Sequence, residues 1–156
     1  MPPPLRITVP GGRDLALNDL VLDFNGTLAL DGQLLPGVGE RLRELAKVLR
    51  VHVLTADTHG TATQALAGLP LKLHLIQRGT DKRAFAEELG AAGVVAVGNG
   101  RNDVAMLEVA ALGVAVTGPE GAAGDALAAA DIVVPDIRAA LELLLHPLRV
   151  TATLRE

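Results

Sequence analysis

The chain contains no cysteine. Disulfides, cysteine-based zinc sites and thiol nucleophiles are therefore excluded, and nothing in cysteine usage argues for secretion, so a cytoplasmic location is expected. It also lacks any apolar run near the roughly 18 residues that a membrane-spanning helix needs. Met1-Pro2-Pro3-Pro4 lacks the basic-then-apolar pattern of an export signal. A soluble protein with no membrane partner is the expectation. Charge of one sign is nowhere concentrated: the formal net charge of -4 comes from interspersed residues, and no basic patch recommends nucleic acid as a partner. Lysine is scarce, with three against 11 arginines. Internal repeats and long linkers are missing as well.

What is present is one compact catalytic-size unit, 156 residues with 49% hydrophobic, enough to bury a single core but not two. Short aliphatic runs alternate with amphipathic segments almost without interruption. Leu5 to Val9 and Leu15 to Leu17, joined through Gly11-Gly12, read as an N-terminal hairpin (5–17) at a sheet edge. Strands are then expected at Leu20–Phe24, Val51–Leu54, Leu71–Ile76, Val94–Val97, Val114–Val116 and Ile132–Val134. Helices are expected at Val38–Leu49, Thr61–Ala67, Lys82–Leu89, Asp103–Ala110, Ala122–Ala129 and Ile137–Leu145, the last capped by Asp136. Strands too short for helices, each followed by a helix, predict an α/β fold: a Rossmann-like three-layer arrangement around a mostly parallel sheet. The core spans 20–145 of a single domain, 1–156, and 147–156 reads as a tail prone to fraying.

Two polar segments sit where aliphatic strands end, the position at which open α/β sheets bind ligands. The first is Asp23-Phe24-Asn25-Gly26-Thr27 and the second Gly98-Asn99-Gly100-Arg101-Asn102-Asp103. Asp23, with Gly26 allowing a sharp turn behind it, could be a nucleophile or a metal ligand, although Asp-Phe-Asn-Gly is equally readable as a plain turn. The glycines of the second segment could present N–H groups to an anion while Asp103 reaches a cation. Between them, Thr55 ends a strand and could hold a phosphate oxygen together with adjacent backbone amides. Lys82 opens a helix, where the macrodipole disfavours a cation, which invites a reason, although a solvated surface lysine is the more common reading of such a position.

In this order, Asp-Phe-Asn-Gly-Thr, Leu-Thr-Ala-Asp, a lone lysine and Gly-Asn-Gly-Arg-Asn-Asp resemble the haloacid dehalogenase superfamily of aspartate-nucleophile phosphohydrolases. The likeness is strongest to the phosphorylation domain of P-type ATPases. Thr55-Ala56-Asp57-Thr58-His59-Gly60-Thr61-Ala62 is similar to their Thr-Gly-Asp segment with its following Gly-Thr-Ala, and Ala128-Ala129-Ala130-Asp131-Ile132-Val133 to the stretch after their hinge. The resemblance covers roughly Leu20 to Leu145. It implies that Asp23 attacks a phosphoryl group and becomes an aspartyl phosphate, and that Thr55, Ala56, Lys82 and Asn102 bind the transferring phosphate. It further implies that Mg²⁺ is held by the Asp23 carboxylate, the Asn25 backbone carbonyl, Asn99 and Asp103. The implied partner is a phosphorylated small molecule or macromolecule.

Two departures qualify this. Asn25 stands where phosphatases of the superfamily carry an aspartate acid–base; an amide cannot exchange that proton, and such losses typically cost on the order of 10²–10⁴-fold. Asn99 stands where a metal-binding aspartate is usual, which reduces charge compensation for a cation. A non-catalytic phosphate-binding or regulatory protein is therefore the competing expectation. Neither of the gaps Thr27–Thr55 and Thr55–Lys82 leaves room for a cap domain. An open active site would then need covering, and self-association into a homo-oligomer is the expected means.

Overall fold

The computed structural model describes residues 2–56, 60–76 and 78–156. Asp57, Thr58 and His59 of the Thr55–Ala62 segment lie outside the described residues. Six strands form one all-parallel sheet: β3 (Asp19–Asp23), β6 (Arg50–Thr55), β7 (Lys72–Leu75), β8 (Val94–Gly98), β9 (Leu112–Val116) and β10 (Ile132–Val134). Their spatial order is β10-β9-β8-β3-β6-β7. The chain therefore runs outward from β3 to one edge, returns to β8 on its other side, and continues to the opposite edge.

The inner strands β3, β6, β8 and β9 are short and rich in Val and Leu, as strands covered on both faces must be. Side-chain alternation divides the core into two. Leu20 and Leu22 on β3 and Phe24 just after it, with Val95 and Val97 on β8, face a layer that includes α1 (Val38–Leu45) and α6 (Ile137–Leu145). Val21, Val94 and Ala96 face the opposite layer, made by α3 (Gly79–Leu89), α4 (Val104–Val109) and α5 (Gly124–Ala129). The three-layer expectation is met. Asp136 caps α6, its Oδ1 accepting from the backbone N–H groups of Arg138 at 2.8 Å and Ala139 at 3.2 Å.

Four details differ from the sequence reading. The N-terminal hairpin exists, β1 (Leu5–Ile7) antiparallel to β2 (Leu15–Leu17), but it forms a separate two-stranded sheet instead of extending the main one. Ile7, Val9, Leu15 and Leu17 are buried in the first core layer, so it is held by side-chain packing. The segment 147–156 is no loose tail: α7 (Leu148–Leu154) buries Val150, and the Thr151 hydroxyl donates to the Thr8 carbonyl at 2.7 Å. Helix α1 stops at Leu45, because the chain must turn to enter β6, and this leaves Val48 39% exposed. A further small hairpin, β4 (Ala29–Leu30) with β5 (Gln33–Leu34), follows directly on β3.

Among the described residues no cap interrupts the core. Only that hairpin and α1 separate β3 from β6, and among the described residues only α2 (Thr61–Ala65) separates β6 from β7. No helix of the described residues is long and apolar enough to cross a membrane.

Candidate active site

Asp23 is the last residue of β3, paired with Leu54 of β6, while Leu22 pairs with Val97 of β8. It thus lies at the carboxyl end of the strand from which the sheet winds in both directions, the switch point where ligands bind in such folds. Beyond it the chain doubles back: Leu28 and Ala29 donate to the Phe24 carbonyl at 2.8 and 3.1 Å. Gly26 has φ +78, and a Cβ there would meet Asn99 Nδ2 at 2.7 Å, so both the turn and the close approach of the second loop require glycine.

The second loop leaves β8 at Gly98. An added Cβ at Gly98 would lie 2.5 Å from Asp103 Oδ2, because the Asp103 carboxylate is folded back onto its own loop. Its Oδ2 accepts from the N–H groups of Asn99 at 3.1 Å and Gly100 at 3.0 Å. Its Oδ1 accepts from Lys82 Nζ at 2.8 Å. The same ammonium donates to Asp23 Oδ1 at 3.0 Å, so one lysine joins carboxylates from two loops.

Lys82 is only 1% exposed and Asp103 fully buried, with Asp23 at 9%. Helix α3 begins at Gly79, three residues earlier than its sequence suggests, and Lys82 is its fourth residue. The reason for a cation there is the acid pair. Burial works against the Lys82 charge, but the two carboxylates outweigh it and hold its pKa above the ordinary value. Asp23 is pushed up to about 6, first by burial and then by the nearby Asp103 charge, with Lys82 and the Phe24 N–H opposing. Two carboxylates against one ammonium account for the Lys82 shift, whereas burial leads that of Asp23.

Thr27 was not among the residues singled out, although it belongs to the same five-residue motif. Its hydroxyl lies 3.3 Å from both Asp23 Oδ2 and Asn99 Oδ1. Having a single proton, it can donate to only one at a time. Two oxygens thus converge on one point beside the nucleophile candidate. The Asp23 carboxylate and the Asn99 side-chain oxygen are oxygen donors of the kind a hard divalent cation takes. No group of three or more acidic or histidine side chains is arranged to hold a metal among the described residues, so the set is poor in charge, as Asn99 leads one to expect.

The other expected residues fall on the same edge. Thr55 ends β6, 3% exposed. Ala56 and Asn102 are exposed beside it and beyond β8. Asn25 is exposed and lines a cavity of about 370 Å³ together with Asp31, Gly32, Thr61 and Glu120. Asp31 and Glu120 carried no motif and could not have been found from spacing.

Sheet topology and centre together define a Rossmann-like α/β protein without a cap, with an acid–lysine–acid centre at its switch point. Residues 72–138 match the haloacid dehalogenase-like hydrolase family. An uncharacterized protein of Methanocaldococcus jannaschii, MJ0073, is 48% identical over 63 residues, covering 40% of this chain and 68% of that protein. The crystal structure of 3-deoxy-D-manno-octulosonate 8-phosphate phosphatase from Moraxella catarrhalis, in complex with magnesium, phosphate and KDO, superposes with a TM-score of 0.71 at 16% identity. The match covers 87% of this chain and 90% of that one. A zinc-transporting PIB-type ATPase in its E2P state matches with a TM-score of 0.64 at 24% identity, over 76% of this chain and 20% of the transporter. This chain belongs to the haloacid dehalogenase-like hydrolases and shares its fold with part of a P-type ATPase.

Proposed function

We propose that the chain is a Mg²⁺-dependent phosphohydrolase or phosphotransferase that works through an aspartyl phosphate on Asp23. The observation that carries this reading is Lys82, buried between Asp23 and Asp103 at 3.0 and 2.8 Å. A buried cation bridging two acids at a strand end offsets charge on a nucleophile and on an incoming phosphoryl group. Asp23 attacks phosphorus with one carboxylate oxygen as the substrate's ester oxygen departs. Lys82 balances the charge of the transferring group, and Thr55, the backbone at Ala56, and Asn102 orient its oxygens. Asp103 keeps Lys82 and the Asn99–Gly100 amides in place. The Asp23 carboxylate, the Asn25 carbonyl, Asn99 and Asp103 would hold Mg²⁺, which supplies Lewis-acid polarisation of the phosphoryl oxygens.

The substrate is a phosphorylated small molecule or macromolecule, processed by one folded unit in the cytoplasm. The mouth has no cap over it, and self-association supports a lid: Leu75 on edge strand β7 is 69% exposed and Val133 on edge strand β10 49%. Sedimentation equilibrium at micromolar concentration is expected to exceed the monomer mass of 16.1 kDa; a strict monomer removes that part of the proposal. Asn25 and Asn99 favour a second reading, a phosphate-binding or regulatory protein with no turnover. Phosphate release across phosphomonoesters, acyl phosphates and nucleotides, with Mg²⁺ and with chelator, separates the two. Chelator-sensitive release from any of them supports the enzyme; none, together with no trapping of beryllofluoride, supports the binder.

A further inference from the structure

Asn25 leaves the site without an acid–base where its motif would carry one, yet it does not leave the neighbourhood without a carboxylate. The cavity that Asn25 lines is walled by Asp31 from the turn of the β4–β5 hairpin and by Glu120 from the loop between β9 and α5. These two acids differ in how they are held. Both are exposed, but Asp31 stands at a hairpin tip and also lines a second cavity with Gln33, Leu34 and Gln64. Glu120 sits on a loop tied to the site by the other departure: Asn99 Nδ2 donates to the Gly121 carbonyl at 2.9 Å, and Ala123 N–H donates to the Asn99 carbonyl at 2.8 Å.

The first of those bonds requires an amide. A carboxylate at position 99 has no proton to give the Gly121 carbonyl, so the Asn99 side chain does what the usual aspartate could not. The same loop also rests on the nucleophile turn, where an added Cβ at Gly118 would come within 3.0 Å of the Gly26 carbonyl. The two asparagines are thus parts of one arrangement, with Asn25 opening the wall of the cavity and Asn99 fastening the Glu120 loop across it.

We infer that Glu120 is the general acid and base of this enzyme, in the place left by Asn25, and that Asn99 is the positioning residue for its loop. The inference rests on the aspartyl-phosphate reading above. In the first step Asp23 Oδ forms a bond to phosphorus, the P–O bond to the leaving group breaks, and the Glu120 carboxyl gives its proton to the departing alkoxide. In the second, water bonds to phosphorus, the P–O bond to Asp23 breaks with its electrons returning to the carboxylate, and Glu120 takes the water's proton.

Acetyl phosphate separates the steps, because its leaving group departs as acetate and needs no proton. Full-length protein is mixed with ³²P-labelled acetyl phosphate and Mg²⁺, and formation and breakdown of the phosphoenzyme are followed by acid quench. Glu120→Gln is expected to form phosphoenzyme at the wild-type rate and to lose it about 10²–10⁴-fold more slowly. Adding Asn25→Asp to Glu120→Gln returns an acid–base group to the cavity and restores breakdown. Wild-type breakdown in Glu120→Gln overturns the inference, as does a loss found in Asp31→Asn instead. Failure of the wild type to form any phosphoenzyme from acetyl phosphate, with the fold intact by circular dichroism, sinks the aspartyl-phosphate reading itself.

Discussion

Removing the nucleophile candidate should make the protein more stable, and by an amount the site itself sets. Asp23 is 9% exposed, and its pKa stands at about 6 against an ordinary 3.8. That gap corresponds to about 3 kcal/mol by which the ionised carboxylate is worse off in the fold than in the unfolded chain. Asp23→Asn removes the charge. The amide oxygen can still accept from Lys82, and the Thr27 hydroxyl, 3.3 Å from Asp23 Oδ2, offers the new N–H group a partner. Some of the gain is lost in that exchange, which leaves an expected stabilisation of about 1–3 kcal/mol.

The sign depends on pH. A carboxyl with a raised folded-state pKa contributes fully below its unfolded value and loses that contribution as pH rises through its folded one. Below about pH 4 the wild-type group is protonated in both states and the variant has no advantage; the advantage grows through pH 6 and is complete above it. Urea unfolding at pH 4 and at pH 7.5 measures this directly, with a midpoint increase at pH 7.5 only. An equal effect at both pH values, or destabilisation at pH 7.5, would refute the account of Asp23 as a disfavoured buried charge. The same variant must form no phosphoenzyme, which makes it a trade of stability for chemistry.

The partner cation should behave oppositely. Lys82→Met keeps the volume but leaves Asp23 and Asp103 facing one another, and a loss of about 3–5 kcal/mol is expected at neutral pH, shrinking in acid as Asp23 protonates; urea midpoints at pH 7.5 and 4.5 check it. Asn99→Asp adds a charged oxygen to the metal donor set and removes the donor to Gly121. Calorimetric titration with Mg²⁺ should show tighter binding, and unchanged affinity would mean that residue 99 does not touch the ion. At the opposite end of β3, Asp19 is 1% exposed, takes a two-point contact from Arg50 at 2.7 Å and lies 2.9 Å from His52 Nε2. Burial would raise the Asp19 pKa, but the bonds to Arg50 and His52 outweigh it and hold it low. Its contribution is therefore present at neutral pH and disappears as pH falls through that depressed value. Asp19→Ala should cost about 2–3 kcal/mol at pH 7 and less in acid, as thermal melts would show.

The sequence alone determined what depends on neighbours along the chain. Short β-branched and aliphatic runs, too short for helices, read as strands, and their alternation with amphipathic segments points to a mostly parallel α/β sheet. Asp136 read as a cap because capping is settled within three residues. Asp23, Asn99 and Asp103 stood out as candidates because motifs at strand ends keep their local order, with glycine needed at Gly26 for the turn and at Gly98 for the close approach of the Asp103 carboxylate.

Tertiary structure decided the rest. Strand periodicity carries no information about order, so the placing of β3 between β6 and β8, which makes Asp23 central, came from packing. Lys82 looked like a misplaced cation at a helix start; only the docking of α3 against two loops gives it both acids at once. The hairpin was read correctly as an element and wrongly as a sheet edge, since burial of Ile7, Leu15 and Leu17 outweighed edge pairing. In the same way Val150 turned the expected tail into a packed helix. Asp31 and Glu120 lie far apart in the chain and in no motif, and the shared cavity at Asn25 exists only because two loops end at the same edge of the sheet.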